Sequence, residues 1–136
     1  MTFPSLTLAA RLTGRLVYVA GPYRADTEEE RLAHVARAAR LGRLVMDAGG
    51  VPIVVHPSIA AGVYGDPGDA TGPRATAERT RGMARTLSIA LHVSTMGGAC
   101  VALTREDGTF SEGTEREVGV FRAEDVFPVR PSEVEP

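Results

Sequence analysis

The sequence predicts an α/β domain, a three-layer sandwich built on a mostly parallel sheet of four or five strands. Three observations carry that reading. Short apolar runs at 15–20, 51–56, 99–104 and 126–129 alternate with long stretches of helical periodicity. Strands alternating with helices build parallel sheets covered on both faces. No internal repeat or linker divides the 136 residues, a length that fits one domain spanning 1–136. Apolar residues make up 43% of the chain, enough for a core without a disulfide or metal staple.

The elements follow in order. Segment 1–14 is expected to be flexible. RLVYVA at 15–20 reads as a short buried strand ending at Gly21-Pro22, a turn signal. Asp26-Thr27-Glu28 marks a helix start, with acidic residues in the first turn. That helix is expected from about Thr27 to Asp47, with Leu32, Val35, Ala39, Leu41, Leu44 and Val45 on its apolar stripe. Gly49-Gly50 terminates it. VPIVVH at 51–56 is the second strand, with Pro52 tolerable near its start. A Gly-, Pro- and Asp-rich loop at 64–73 precedes a second long helix, about 75–94, with Met83, Leu87, Ala90 and Leu91 facing in. ACVALT at 99–104 is the third strand. A loop to Gly113 leads to a helix at about 114–123, and VFPV at 126–129 is the last strand. The tail, 130–136, is expected to be flexible.

Composition narrows the function. The net charge of −2 offers no field for gripping a nucleic-acid polymer. No run approaches ~20 apolar residues, so no membrane span is expected, and the N-terminus lacks the pattern of a secretory signal. One cysteine, Cys100, permits no intrachain disulfide and fits a cytoplasmic setting. The three histidines and Cys100 show no metal-ligand spacing, so neither metal nor cofactor is expected. There is no lysine, so a phosphate must meet arginine, hydroxyl or backbone N–H groups.

In parallel sheets ligands bind beyond the carboxyl ends of the strands. That rule selects 21–24, 56–58 and 104–114. Gly21 lets the backbone approach a ligand, and Arg24 is placed to pair with a phosphate. The competing reading is a tight turn with a surface arginine. His56 ends the second strand and is a base or phosphate contact, or equally a structural residue bonded to a loop. Ser111-Glu112-Gly113-Thr114 opens a helix whose free N–H groups suit phosphate. The competing reading is a capping box, with Thr114 as N-cap and Glu117 three residues on. Glu117 lies in the first turn, pointing toward the ligand crevice, where a carboxylate can attack a sugar C1′.

Together these motifs resemble the nucleoside 2-deoxyribosyltransferase superfamily, and within it the 2′-deoxynucleoside 5′-monophosphate N-hydrolases and deoxyribosyltransferase-like proteins. The resemblance runs from Leu16 to about Phe121. It rests on Tyr18, Gly21 and Arg24 at the first strand end, on His56, and on Ser111, Gly113, Glu117 and Gly119 in the pattern Ser-x-Gly-x-x-x-Glu-x-Gly. The resemblance implies a flavodoxin- or Rossmann-like fold and a homodimer or higher homo-oligomer. It implies Glu117 as nucleophile with Tyr18 beside it. Gly21, Tyr23, Arg24, His56, Ser111 and Gly113 would bind the substrate, a nucleotide or nucleoside. The implied activity is N-glycosidic cleavage of a (deoxy)nucleoside 5′-monophosphate. Base exchange between deoxynucleosides and nucleotide binding without turnover are the alternatives. One departure stands out: the family's aspartate in the helix before the third strand is missing from 85–91, leaving Asp66, Asp69 or Asp107 as candidate acids.

Overall fold

The computed structural model describes residues 6–22, 27–55 and 73–134. Helix α1 (Leu6–Leu12) leads into β1 (Leu16–Ala20), α2 (Glu28–Asp47), β2 (Val51–Val54), α3 (Pro73–Thr95), β3 (Ala99–Leu103), α4 (Glu112–Val118) and β4 (Val126–Val129). The four strands form one all-parallel sheet in the order β2-β1-β3-β4. Helices cover both faces, giving a three-layer α/β sandwich of Rossmann-like architecture.

Alternation along β1 divides the core in two. Val17 and Val19 point to the side of α1 and α2, where they meet Leu12, Leu41, Val45 and Val101. Tyr18 and Ala20 point to the other side, packed with Ala90 and Val93 of α3, Cys100 and Ala102 of β3, and Phe121. The chain leaves β1 toward β2, then crosses back to β3 on the far side of β1. The order reverses between β1 and β3, so the crevice at their carboxyl ends is the topological switch point.

Local sequence accounts for the element ends. Thr27 caps α2, its hydroxyl accepting from the Glu30 N–H at 3.1 Å. Gly49, at φ +87°, turns the chain out of α2 in the left-handed region that glycine adopts without strain. Gly42 brings α2 against β2: a Cβ there would stand 2.8 Å from Val54 Cγ2.

Several expectations need correction. Segment 1–14 is not simply flexible. Its residues Leu6–Leu12 form α1, and Leu12 is fully buried in the core. Segment 130–136 is ordered through Val134. A 3₁₀ turn at Pro131–Glu133 seats Val134 in the core, and Arg40 Nε donates to its carbonyl at 3.0 Å. On α2, Leu32 is 63% exposed and Ala39 is exposed, because the buried stripe runs through Leu41, Gly42 and Val45 instead. On α3, Leu91 is 53% exposed. The buried stripe there is Thr86, Ala90 and Val93, an i, i+4, i+7 series that includes a polar residue.

Candidate active site

The site is assembled from β1, α3, β3 and α4 on one face of the sheet. Tyr18 and Cys100 are paired across the β1–β3 ladder, so their side chains stand side by side on the same face. Helix α4 begins near the carboxyl end of the sheet and lays Thr114 and Glu117 inward, 1% and 5% exposed. Three residues apart, they share one helix face. Glu117 stands in the last turn of α4, not in the first as the sequence suggests, and it is buried against the sheet.

The Tyr18 phenol and the Glu117 carboxyl share a hydrogen bond. The same phenol lies 3.5 Å from the Thr86 carbonyl oxygen on α3. The Phe121 ring closes the cluster, 6.1 Å from the Tyr18 ring centroid and tilted by 36°. Small residues make the room: Ala20, Ala90 and Ala102 surround the two large polar side chains.

Burial dominates the electrostatics. Loss of solvent pushes the Glu117 carboxyl up to about 7, and the hydrogen bond from Tyr18 opposes that rise. Burial also raises the Tyr18 phenol far above its ordinary value, and the nearby Glu117 charge adds to the effect. Tyr18 therefore keeps its proton and acts as a donor. Cys100 is raised by the same two causes, which keeps it a neutral thiol. A buried carboxyl that titrates near neutrality beside a phenol is a candidate mark of a functional site.

At the other end of α4, Ser111 is the N-cap. Its hydroxyl accepts from the Thr114 N–H at 3.3 Å and donates to Thr114 Oγ1 at 2.8 Å. The competing reading, a capping box of Thr114 with Glu117, is not formed. Thr114 lies inside the helix, and Glu117 faces the sheet rather than the helix start. The helix also starts and ends earlier than the expected 114–123, spanning Glu112–Val118 with Gly119 as C-cap. Gly113 sits in the first turn. Gly21 lies just past β1 at the switch point, where an added Cβ would make ordinary contact with Leu103 at 3.5 Å. Its backbone freedom is therefore not required by the local packing.

Asp107 is held below the usual carboxylate range by the Thr109 hydroxyl and backbone N–H, at 2.6 and 2.9 Å. It is an ionised turn residue, which disfavours it as an acid at neutral pH. Tyr23, Arg24, His56, Asp66 and Asp69 lie outside the described residues. Among the described residues no group of three or more His, Cys, Asp or Glu side chains could hold a metal ion. Nor is any described helix long and apolar enough to cross a membrane.

The structure thus brings Tyr18 and Glu117 together, with Ser111 and Gly113 on the same helix. It adds Thr86, Cys100 and Phe121, which sequence reasoning did not place in the site, and it buries Thr114, read there as a cap. The signal for Cys100 was its parity with Tyr18 in neighbouring strands. For Thr86 it was a polar residue on an otherwise apolar stripe. Comparison with protein-family models, curated proteins and solved structures returns no match to this chain.

Proposed function

We propose that the chain cleaves the N-glycosidic bond of a (deoxy)nucleoside 5′-monophosphate, with Glu117 as the attacking group. The observation that carries this reading is the buried Glu117 carboxyl, hydrogen-bonded by Tyr18 against a parallel sheet. The motif resemblance around Glu117 supplies the substrate class.

In the proposed reaction an ionised Glu117 oxygen forms a bond to C1′ as the bond from C1′ to the base nitrogen breaks. The bonding pair leaves with the base, which takes up a proton. Water then adds to C1′ and releases the carboxylate, giving sugar phosphate and free base. Tyr18 donates to Glu117 and holds its orientation. Crevice N–H groups and Ser111 would meet the phosphate. Thr86 stands on the α3 face toward Tyr18 and carries no ionisable proton. The acid for the departing base is therefore sought outside the described residues, at Asp66 or Asp69. A nucleotide-sized partner, a cytoplasmic setting and a homo-oligomeric state belong to the same proposal.

The test is incubation with a panel of ribo- and deoxyribonucleoside 5′-monophosphates, reading free base by chromatography. Release of base by the wild type, and none by Glu117→Gln, is the expected result. A second base added to the reaction separates the activities: exchange marks a transferase, free sugar phosphate a hydrolase. Tight nucleotide binding with no base released from any substrate favours a binding module and counts against the enzyme.

A further inference from the structure

The loop between β3 and α4 closes on itself before the chain reaches the site. The Arg105 N–H donates to the Thr109 carbonyl at 2.7 Å, and the Arg105 carbonyl accepts from the Gly108 N–H at 2.9 Å. Gly108, at φ +86°, makes the turn in the left-handed region. Asp107 accepts from the Thr109 N–H and hydroxyl. Phe110 therefore leaves the loop beside Arg105, and the Arg105 side chain clasps it there. Nη1 donates to the Phe110 carbonyl at 2.9 Å and to Thr109 Oγ1 at 3.1 Å.

The far side of the loop is held as well. Glu106 Oε1 accepts from the Ser132 N–H at 2.9 Å, in the 3₁₀ turn that follows β4. The Arg130 guanidinium lies over Gly108, 3.6 Å from where a Cβ would stand.

The clasp governs the entry into α4. Phe110 packs against the cluster of Tyr18, Cys100 and Phe121. Ser111 follows as N-cap, its carbonyl accepting the first helical bond from the Glu115 N–H at 2.8 Å. Helix α4 has seven residues, too few to persist without outside support. Where it begins is set by Phe110, and where it begins decides how Glu117 meets the sheet.

We infer that Arg105 is a positioning residue for Glu117: by clasping the Phe110 carbonyl it fixes the start of α4 and so the seating of Glu117 beside Tyr18. Its importance to turnover rests on the reading of Glu117 as the attacking group; the seating itself does not.

The experiment is an NMR titration of the full chain carrying ¹³C at the glutamate carboxyls, with Glu117→Gln to assign the signal. Among the described residues the ionisable groups that face Glu117 are Tyr18 of β1 and Cys100 of β3, and α3 adds the Thr86 carbonyl beside Tyr18. Burial holds both neutral, so neither titrates with it. The wild-type midpoint is expected at about 7. Arg105→Ala loosens the helix start and admits solvent, which should lower the midpoint by about one pH unit. The sign is diagnostic, because loss of a nearby positive charge alone raises a carboxyl's midpoint. Arg105→Lys keeps the charge and a donor for the Phe110 carbonyl, and should restore most of the shift. Glu106→Ala cuts only the tether to Ser132 and should give a smaller shift of the same sign; it decides the matter if Arg105→Ala does not fold, as judged by circular dichroism. An unchanged or raised midpoint in the folded alanine variant overturns the inference, as does a lysine variant no better than alanine. No nucleotide is used, so a failed glycosidase assay leaves this result standing.

Discussion

The two faces of the sheet are made from the same strands and yet differ in kind. Toward α1 and α2 the strands present Val17, Val19, Val101 and Leu103, packed on Leu12, Leu41 and Val45. That side is aliphatic and closely filled. Toward α3 and α4 they present Tyr18, Ala20, Cys100 and Ala102, with Thr86, Thr114 and Glu117 buried among them. Alanines leave room for a phenol and a carboxyl, and solvent is excluded from both. One face contributes stability, while the other carries polar groups whose burial costs stability and tunes their protonation. A strand's two-residue period suffices to keep these roles apart.

Exchanging a residue on each face should separate the roles most sharply. Glu117→Gln should lower turnover by about 10³-fold or more, since it removes the attacking group, with the fold intact. Leu41→Ala should do the opposite. It should cost about 2–5 kcal/mol and lower the melting temperature by about 10 °C, with kcat nearly unchanged while folded. Calorimetry and steady-state kinetics on both variants decide it. A Leu41→Ala protein that melts normally but loses turnover would break the division between faces.

The polar face should also give stability a pH dependence that the aliphatic face lacks. Glu117 rises from 4.5 to about 7 on folding, so the folded state holds its proton more tightly than the unfolded chain. The neutral form is the favoured one when buried. Stability from this group is therefore fully present below pH 4.5, is lost as pH rises toward about 7, and is flat above that. The whole effect is of order 3 kcal/mol. Thermal unfolding of wild type and Glu117→Gln between pH 4 and 8 measures it, and the slope should vanish in the variant. Turnover should run the other way, rising with pH as Glu117 ionises.

How legible this division was depended on the periodicity involved. The four strands and their order along the chain could be read because apolar runs are short and bounded by glycine or proline, as at Gly21-Pro22. The helix faces were harder. On α3 the Leu87–Leu91 pair has the same spacing as Thr86–Ala90, and spacing alone does not say which row meets the sheet. On α2 an exposed Leu32 looked like core for the same reason. Helix α1 carries no acidic residue in its first turn to announce it, and its burial through Leu12 depends on distant Leu41 and Val45. At the site, Tyr18 and Glu117 were readable as a motif, but their neutral-range titration was not. It arises from burial by α3 and β3, which are brought there only by folding.

Tyr18 offers a finer cut through the polar face. Tyr18→Phe keeps the ring against Phe121 and removes the phenol's hydrogen bond to Glu117. The hydrogen bond lowers the carboxyl's affinity for its proton, so its loss should move the acidic limb of the pH–rate profile upward. Turnover at pH 7 should fall by about tenfold and recover in part at higher pH. A uniform loss at every pH would mean instead that the phenol acts on the substrate.

Ser111 tests the smallest difference, between a residue that ends a helix and one that grips a ligand. Its hydroxyl already caps α4 through Thr114, and replacing a cap serine by alanine costs about 1 kcal/mol. Alanine therefore confounds the two roles. Aspartate separates them, because it caps as well as serine does and its charge favours the helix start. With Ser111→Asp the melting temperature should stay within about 2 °C of wild type. If the first turn of α4 meets the 5′-phosphate, the added negative charge repels it. KM for nucleoside 5′-monophosphates should then rise about tenfold or more, while hydrolysis of the nucleoside lacking the phosphate is unaffected. Equal KM changes for both substrates would assign Ser111 to the cap alone and move the phosphate to another part of the crevice.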